Sequence, residues 1–256
     1  MSLLDQVAPA PRKIMTLFYV VDTSGSMDGD KLGSVNSAME EAILSDLPEI
    51  SEANDDAEIK VAIMQFASGC SWITPQSGPI GIGDVIWNDL KAAGLTDLGA
   101  ACLELDKKLS RNEFLQSQTG AYAPVILLFS DGAPTDDWEK GLTQLKENNW
   151  FKHAIKIAIA IGEDADKDVL AKFTGTPESV ITVHDKKTLK ILIKKVSVRA
   201  SEFQSHSKQS SDVITSAEED SAAIAKEVST EIAGDKISTT SSGTIDVSID
   251  SDWGEW

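Results

Sequence analysis

The chain has 256 residues, enough for one sizeable α/β domain with a buried core, or for a domain of about 200 residues with an appendage. Its 41 Asp and Glu against 23 Lys and Arg give a formal charge of -18, which argues against nonspecific affinity for nucleic acid or an anionic membrane, since both demand a basic patch. Two cysteines, Cys70 and Cys102, suit neither a disulfide-stapled domain nor a zinc ribbon. No apolar run nears the roughly 20 residues of a membrane span, and Met1 to Asp5 lack the marks of a signal peptide, so the expected compartment is the cytoplasm.

Ile14 to Val21 is an almost unbroken apolar run that stops at Asp22, the pattern of a central strand covered on both faces. After a Gly-rich polar turn, Leu32, Val35, Met39, Ile43 and Leu47 recur at helical spacing, and Pro48 is expected to end that helix. Glu58 to Ala67 reads as the next strand, and Gly69-Cys70 as a hairpin into an antiparallel Ser71 to Thr74. The Gly- and Pro-rich stretch 75 to 83 reads as a loop, of which Ser77 to Gly83 is placed to contact whatever binds. Short helices are expected over Val85 to Ala92 and Leu98 to Leu109.

Ala123 to Ser130 is the second clearly buried strand, and it too ends at a carboxylate, Asp131. Asp136 or Asp137 is expected to cap a helix running to Asn149. A strand at Ile155 to Ile161, a helix at Ala165 to Phe173, a strand at Ser179 to Val183 and a helix at Leu189 to Val198 complete the alternation. Strands alternating with helices specify an α/β fold: a mostly parallel central sheet with one antiparallel edge strand and helices on both faces.

The charge is unevenly spread. Residues 201 to 256 hold 12 acidic and 3 basic side chains, half of the net excess, together with 13 Ser and 5 Thr. The expected organisation is an N-terminal extension (1–11), a domain (12–200) and an acidic Ser/Thr-rich tail (201–256), mostly flexible, with a short helix near 215–232 that forms on meeting a partner.

In a parallel sheet, ligands bind outside the carboxyl ends of the strands, the rim to which Asp22 and Asp131 are delivered. The loop Asp22-Thr23-Ser24-Gly25-Ser26 alternates oxygen side chains with small residues, so one turn can aim Asp22, Ser24 and Ser26 inward. Thr96, just before a helix, adds a hydroxyl. Such a donor set suits a hard cation, Mg2+ first and Mn2+ or Ca2+ as alternatives. A helix-capping turn without metal is the competing reading of the first loop, and Asp97 could cap the helix after Thr96.

This pattern resembles the metal-ion-dependent adhesion site of the von Willebrand factor A family. The family's Asp-x-Ser-x-Ser matches Asp22, Ser24 and Ser26, its Thr matches Thr96, and its last Asp, between a hydrophobic strand and a Gly, matches Asp131. The stretch Ser130-Asp131-Gly132-Ala133-Pro134-Thr135-Asp136-Asp137-Trp138 is similar to stand-alone bacterial A-domain proteins of the tellurite-resistance TerY type. Leu95 departs from the pattern, where relatives commonly have Gly, and is expected to tighten or shift the loop carrying Thr96. The resemblance implies a Rossmann-like fold and a non-catalytic, Mg2+-dependent recognition module to which a protein partner presents a Glu or Asp. It also implies a bacterial signalling or stress-response setting with a Ser/Thr kinase and a phosphatase.

Two alternatives belong to other classes. One is a structural or assembly subunit with a metal-independent interface. The other is a Mg2+-dependent hydrolase, disfavoured because His153, His184 and His206 all lie outside the three loops and no phosphate loop, Gly-x-Ser-x-Gly elbow or His-Glu-x-x-His pair is present. Trp87 is a candidate for the partner surface, with core packing as its ordinary use. Trp253 and Trp256 are candidates for a short docking motif, and Thr239 to Ser242 for phosphorylation.

Overall fold

Strand β1 (Lys13–Asp22) is apolar along most of its length because both of its faces are covered. Met15, Leu17, Tyr19 and Val21 enter one half of the core, and Phe18 and Val20 the other, as a side-chain period of two requires. On either side of β1 run β2 (Ala57–Ala67) and β5 (Val125–Ser130), both parallel to it; β6 (Ile155–Ile161) and β7 (Val180–Val183) continue the parallel order. At one edge β3 (Gly69–Trp72) folds back antiparallel on β2, the hairpin expected from Gly69-Cys70. The computed structural model describes residues 12–206, 216–232, 237–239 and 245–247.

Helices α1 (Asp30–Glu41), α2 (Leu47–Ala53) and α7 (Lys186–His206) cover one face of the sheet, through Leu32, Val35 and Met39, Ile50, and Leu192 and Val196 respectively. Helices α3 (Leu98–Lys108), α4 (Trp138–Glu147) and α6 (Lys167–Thr174) cover the other, with α5 (Asn149–Lys152) a single turn beside them. Pro48 does not end the first helical segment. The chain passes from α1 through a π-helical stretch, Ala42–Asp46, into α2, with Pro48 in the first turn of α2.

The helix expected over 85–92 does not form. Asn36 of α1 meets that segment as a peptide group would, its Nδ2 donating to the Leu90 carbonyl at 2.9 Å and its Oδ1 accepting from Leu90 N at 2.8 Å. Val85, Trp87, Leu90 and Ala92 lean on the core from an irregular backbone. Nor does the 75–83 loop reach the rim: within it β4 (Ile80–Gly81) pairs with Lys60 and Val61, in mid-strand.

The boundary placed at residue 200 falls inside α7, and the chain beyond it rejoins the fold. Helix α8 (Ala217–Ile232) puts Ile224, Ala225 and Val228 into the same apolar cluster as β1 and α7. Its Ser221 Oγ accepts from Lys156 N at 3.0 Å, on the stretch of β6 that precedes its pairing with β7. Beyond it β9 (Ile245–Val247) adds to the sheet parallel to β7, and β8 (Ile237–Thr239) runs antiparallel to β9, so this edge also ends antiparallel. The helix anticipated near 215–232 is therefore present and its partner is the domain itself. Apolar residues are few here but fall on one stripe, which average composition conceals. The extension 1–11, Ser241, Ser242, Trp253 and Trp256 lie outside the described residues.

Candidate metal centre

Asp22 ends β1 and Asp131 follows β5, so adjacent parallel strands bring two carboxylates to one rim. Both are buried, at 0% and 3% exposure. Asp22 Oδ1 accepts from Ser24 N at 2.8 Å, a turn that folds the first loop back over the strand end. Asp22 Oδ2 accepts from Ser130 Oγ at 2.5 Å, and Ser130 Oγ accepts in turn from Gly132 N at 2.7 Å. Burial pushes the Asp22 carboxyl above the usual carboxylate range, the bonds from Ser130 and Ser24 pull it back, and the Asp131 charge pushes it up again.

Asp131 is treated differently at its two oxygens. Oδ2 accepts from Lys31 Nζ at 3.3 Å, and the same ammonium donates to Asp164 Oδ2 at 2.8 Å. Oδ1 is buried with no hydrogen-bond partner. An acceptor-only carboxylate oxygen in that condition is costly unless a cation meets it. The loop is held in place from behind by Asp166 N, which donates to the Asp131 carbonyl at 2.6 Å. Gly132 has φ +71°, and a Cβ there would stand 2.6 Å from the Asp166 carbonyl oxygen.

The hydroxyls complete the donor set. Ser24 is buried, Ser26 exposed, and their Oγ atoms are 3.0 Å apart. Thr96 is buried, and its loop is fastened on three sides: the Gly94 carbonyl accepts from Gly25 N at 3.1 Å, Ser68 Oγ from Leu95 N at 3.0 Å, and Thr135 Oγ1 from Thr96 N at 3.1 Å. In this loop the left-handed conformation is taken by Gly94, at φ +78°, while Leu95 keeps an ordinary φ and points its side chain to solvent, 60% exposed. The loops carrying Asp22, Ser24 and Ser26, Thr96, and Asp131 thus adjoin one another.

Among the described residues no group of three or more His, Cys, Asp or Glu side chains is arranged to hold a metal. The centre offers two carboxylates and three hydroxyls, all hard oxygen donors. Trp87 is partly buried and packs against the core. Cys70 and Cys102 are free thiols. His153 is exposed, with Nδ1 2.7 Å from the Asn149 carbonyl, remote in sequence from all three loops.

The von Willebrand factor type A domain profile matches residues 17–195. The chain belongs to that family. Three solved von Willebrand A-like structures carry the same fold: a von Willebrand factor type A protein from Catenulispora acidiphila (16% identity, TM-score 0.53, covering 74% of this chain and 43% of that one); proximal thread matrix protein 1 from the mussel byssus with a zinc-occupied MIDAS motif (17%, 0.54, 76% and 49%); and the ArnB paralog VWA2 from Sulfolobus acidocaldarius (17%, 0.53, 73% and 45%). The chain spans less than half of each of those proteins, and identity at this level speaks to the fold. No curated protein matches the chain significantly.

In this von Willebrand A domain, sequence patterning pointed to the strand-end carboxylates and hydroxyls but missed Ser130, Lys31 and Thr135. Ser130 had a signal: it sits one residue past the Val21 and Phe129 pair, opposite Asp22 in the β1–β5 register. Lys31 and Thr135 had none, since their roles come from contacts across the rim.

Proposed function

We propose that this chain is a divalent-cation-dependent protein-recognition module, non-catalytic, in which Asp22, Ser24, Ser26, Thr96 and Asp131 hold the ion and a partner's Glu or Asp completes its shell. The observation that carries this is the buried, unpartnered Asp131 Oδ1 beside a buried Asp22 whose carboxyl is pushed up by burial first and by the Asp131 charge as well. Two carboxylates buried side by side are costly in an ion-free fold and are offset by a cation. With three neutral hydroxyls among the donors, a bound Mg2+, Mn2+ or Ca2+ would keep positive charge and offer a charge-assisted contact to an incoming carboxylate. A fold neighbour whose MIDAS motif holds zinc supports a divalent ion at this rim.

The finer setting, a tellurite-resistance-like signalling or stress system with a Ser/Thr kinase and a phosphatase as partners, is supported by the wording of Ser130 to Trp138 alone. Catalysis is disfavoured because, among the described residues, no histidine lies in the three loops, and His184, after β7, lines a neighbouring pocket with Asp30 and Lys31. Calorimetry with Mg2+ on the wild type and on Asp22→Ala tests the centre. Binding by the wild type that Asp22→Ala abolishes is expected; equal binding by both would overturn the assignment. For the partner, EDTA should release whatever copurifies from the native cell, and complexes indifferent to EDTA and to Thr96→Ala would point instead to a metal-independent assembly interface.

A further inference from the structure

Lys31 stands in the first turn of α1, where a cation is electrostatically disfavoured by the positive end of the helix. Its place is therefore explained by what it touches. The side chain crosses the rim over Gly162, whose φ is +90° and where an added Cβ would lie 2.9 Å from Lys31 Cε. Its ammonium ends between Asp131 Oδ2, at 3.3 Å, and the exposed Asp164 Oδ2, at 2.8 Å. One cation is thus held against the same carboxylate whose other oxygen is buried and unpartnered.

We propose that Lys31 sets the cation affinity of the centre: by neutralising part of the Asp131 charge it weakens divalent binding and stabilises the ion-free rim, with Asp164 drawing the ammonium aside. This rests on the metal-centre reading given above. The physics is one of competing charges. A unit positive charge a few ångströms from a metal ligand, in a half-buried setting, repels a second cation by more than a factor of ten in binding. A partner carboxylate arriving at the same rim meets the ammonium as well as the ion, so the charge that weakens metal binding favours an acidic ligand.

The test is Mg2+ titration calorimetry at low salt, paired with thermal melts in EDTA, on wild type, Lys31→Met, Lys31→Gln, Asp164→Asn and Asp22→Ala. Both neutral Lys31 variants should bind Mg2+ at least about tenfold more tightly than wild type yet melt lower in EDTA. Asp164→Asn should bind more weakly, because the ammonium is left to Asp131 alone. A purely structural lysine would lower affinity and stability together. Unchanged or weaker binding by Lys31→Met and Lys31→Gln, with Asp22→Ala still silent, would overturn the role of Lys31 and leave the centre standing. Wild-type binding matched by Asp22→Ala, or no binding by wild type and both Lys31 variants, would overturn both.

Discussion

Asp136 caps the first turn of α3 rather than the helix it precedes in sequence: its Oδ1 accepts from Gly99 N at 3.1 Å and its Oδ2 from Ala100 N at 3.0 Å. Asp97, the nearer candidate, is occupied elsewhere, with Oδ2 accepting from Gly69 N at 2.7 Å. Thr135 N adds a bond to the Thr96 carbonyl at 2.8 Å. The loop after Asp131 and the loop carrying Thr96 are consequently one braced unit. Asp136→Ala should cost about 1 kcal/mol of stability, as the loss of a helix cap does. It should also weaken Mg2+ binding several-fold although no proposed ligand is removed. Urea denaturation and calorimetry read the two effects, and intact affinity in a destabilised variant would show that the brace does not position Thr96.

The same two helices meet through glycine. A Cβ at Gly141 would lie 2.5 Å from the Gly99 carbonyl oxygen and 2.8 Å from Gly99 Cα, both backbone atoms that cannot swing away. Gly33, in the body of α1, has nothing within 4 Å of such a Cβ. Alanine normally improves a helix by about 0.5–1 kcal/mol over glycine. Gly33→Ala should therefore stabilise the protein by about that amount, while Gly141→Ala should destabilise it by about 1–3 kcal/mol through overpacking. Chemical denaturation of the pair gives opposite signs if α3 and α4 pack as described.

What the sequence reveals depends on how local the cause is. The runs ending at Asp22 and Asp131 announce buried parallel strands at sight, because a strand covered on both faces must be apolar throughout. The Asp-x-Ser-x-Ser loop is likewise local. Asn36 is not: its bonds to Leu90 replace a helix that the intrinsic pattern of 85–92 favours, and nothing near residue 90 signals an amide 54 positions away. The docking of helix α8 on the domain is hidden for a related reason. Its acidic and Ser-rich composition suggests solvation, yet Glu227 and Glu231 face Lys195 and Arg199 of α7 while Ile224, Ala225 and Val228 point inward.

That clamp should be sensitive to acid. Glu231 accepts from Lys195 Nζ at 2.5 Å and from Arg199 at 2.6 Å, and these bonds hold its carboxyl down at about 2, against an ordinary value of 4.5. A carboxylate depressed in the folded state stabilises the fold above its unfolded value and loses that contribution as the pH falls through its folded value. Glu231→Gln should thus melt slightly below wild type at neutral pH, with the gap narrowing below pH 4.5 and closing near pH 2. The pair is solvent-exposed, so added salt should shrink the neutral-pH gap as well. A gap that persists at pH 2 would mean that Glu231 contributes by packing rather than by charge.

Cation binding should also be visible as stability. An ion that binds only the folded chain adds about 2.7 kcal/mol at a concentration one hundred times its dissociation constant. Mg2+ should therefore raise the melting temperature of the wild type, and EDTA should reverse the rise completely. Ser24→Ala and Thr96→Ala each remove one buried hydroxyl. Both should fold and melt near the wild type in EDTA, since a buried hydroxyl is worth only about 1 kcal/mol to the fold. With Mg2+ present their melting points should rise less than the wild type's, and a full Mg2+ response in Thr96→Ala would remove Thr96 from the donor set even if Asp22 proved indispensable.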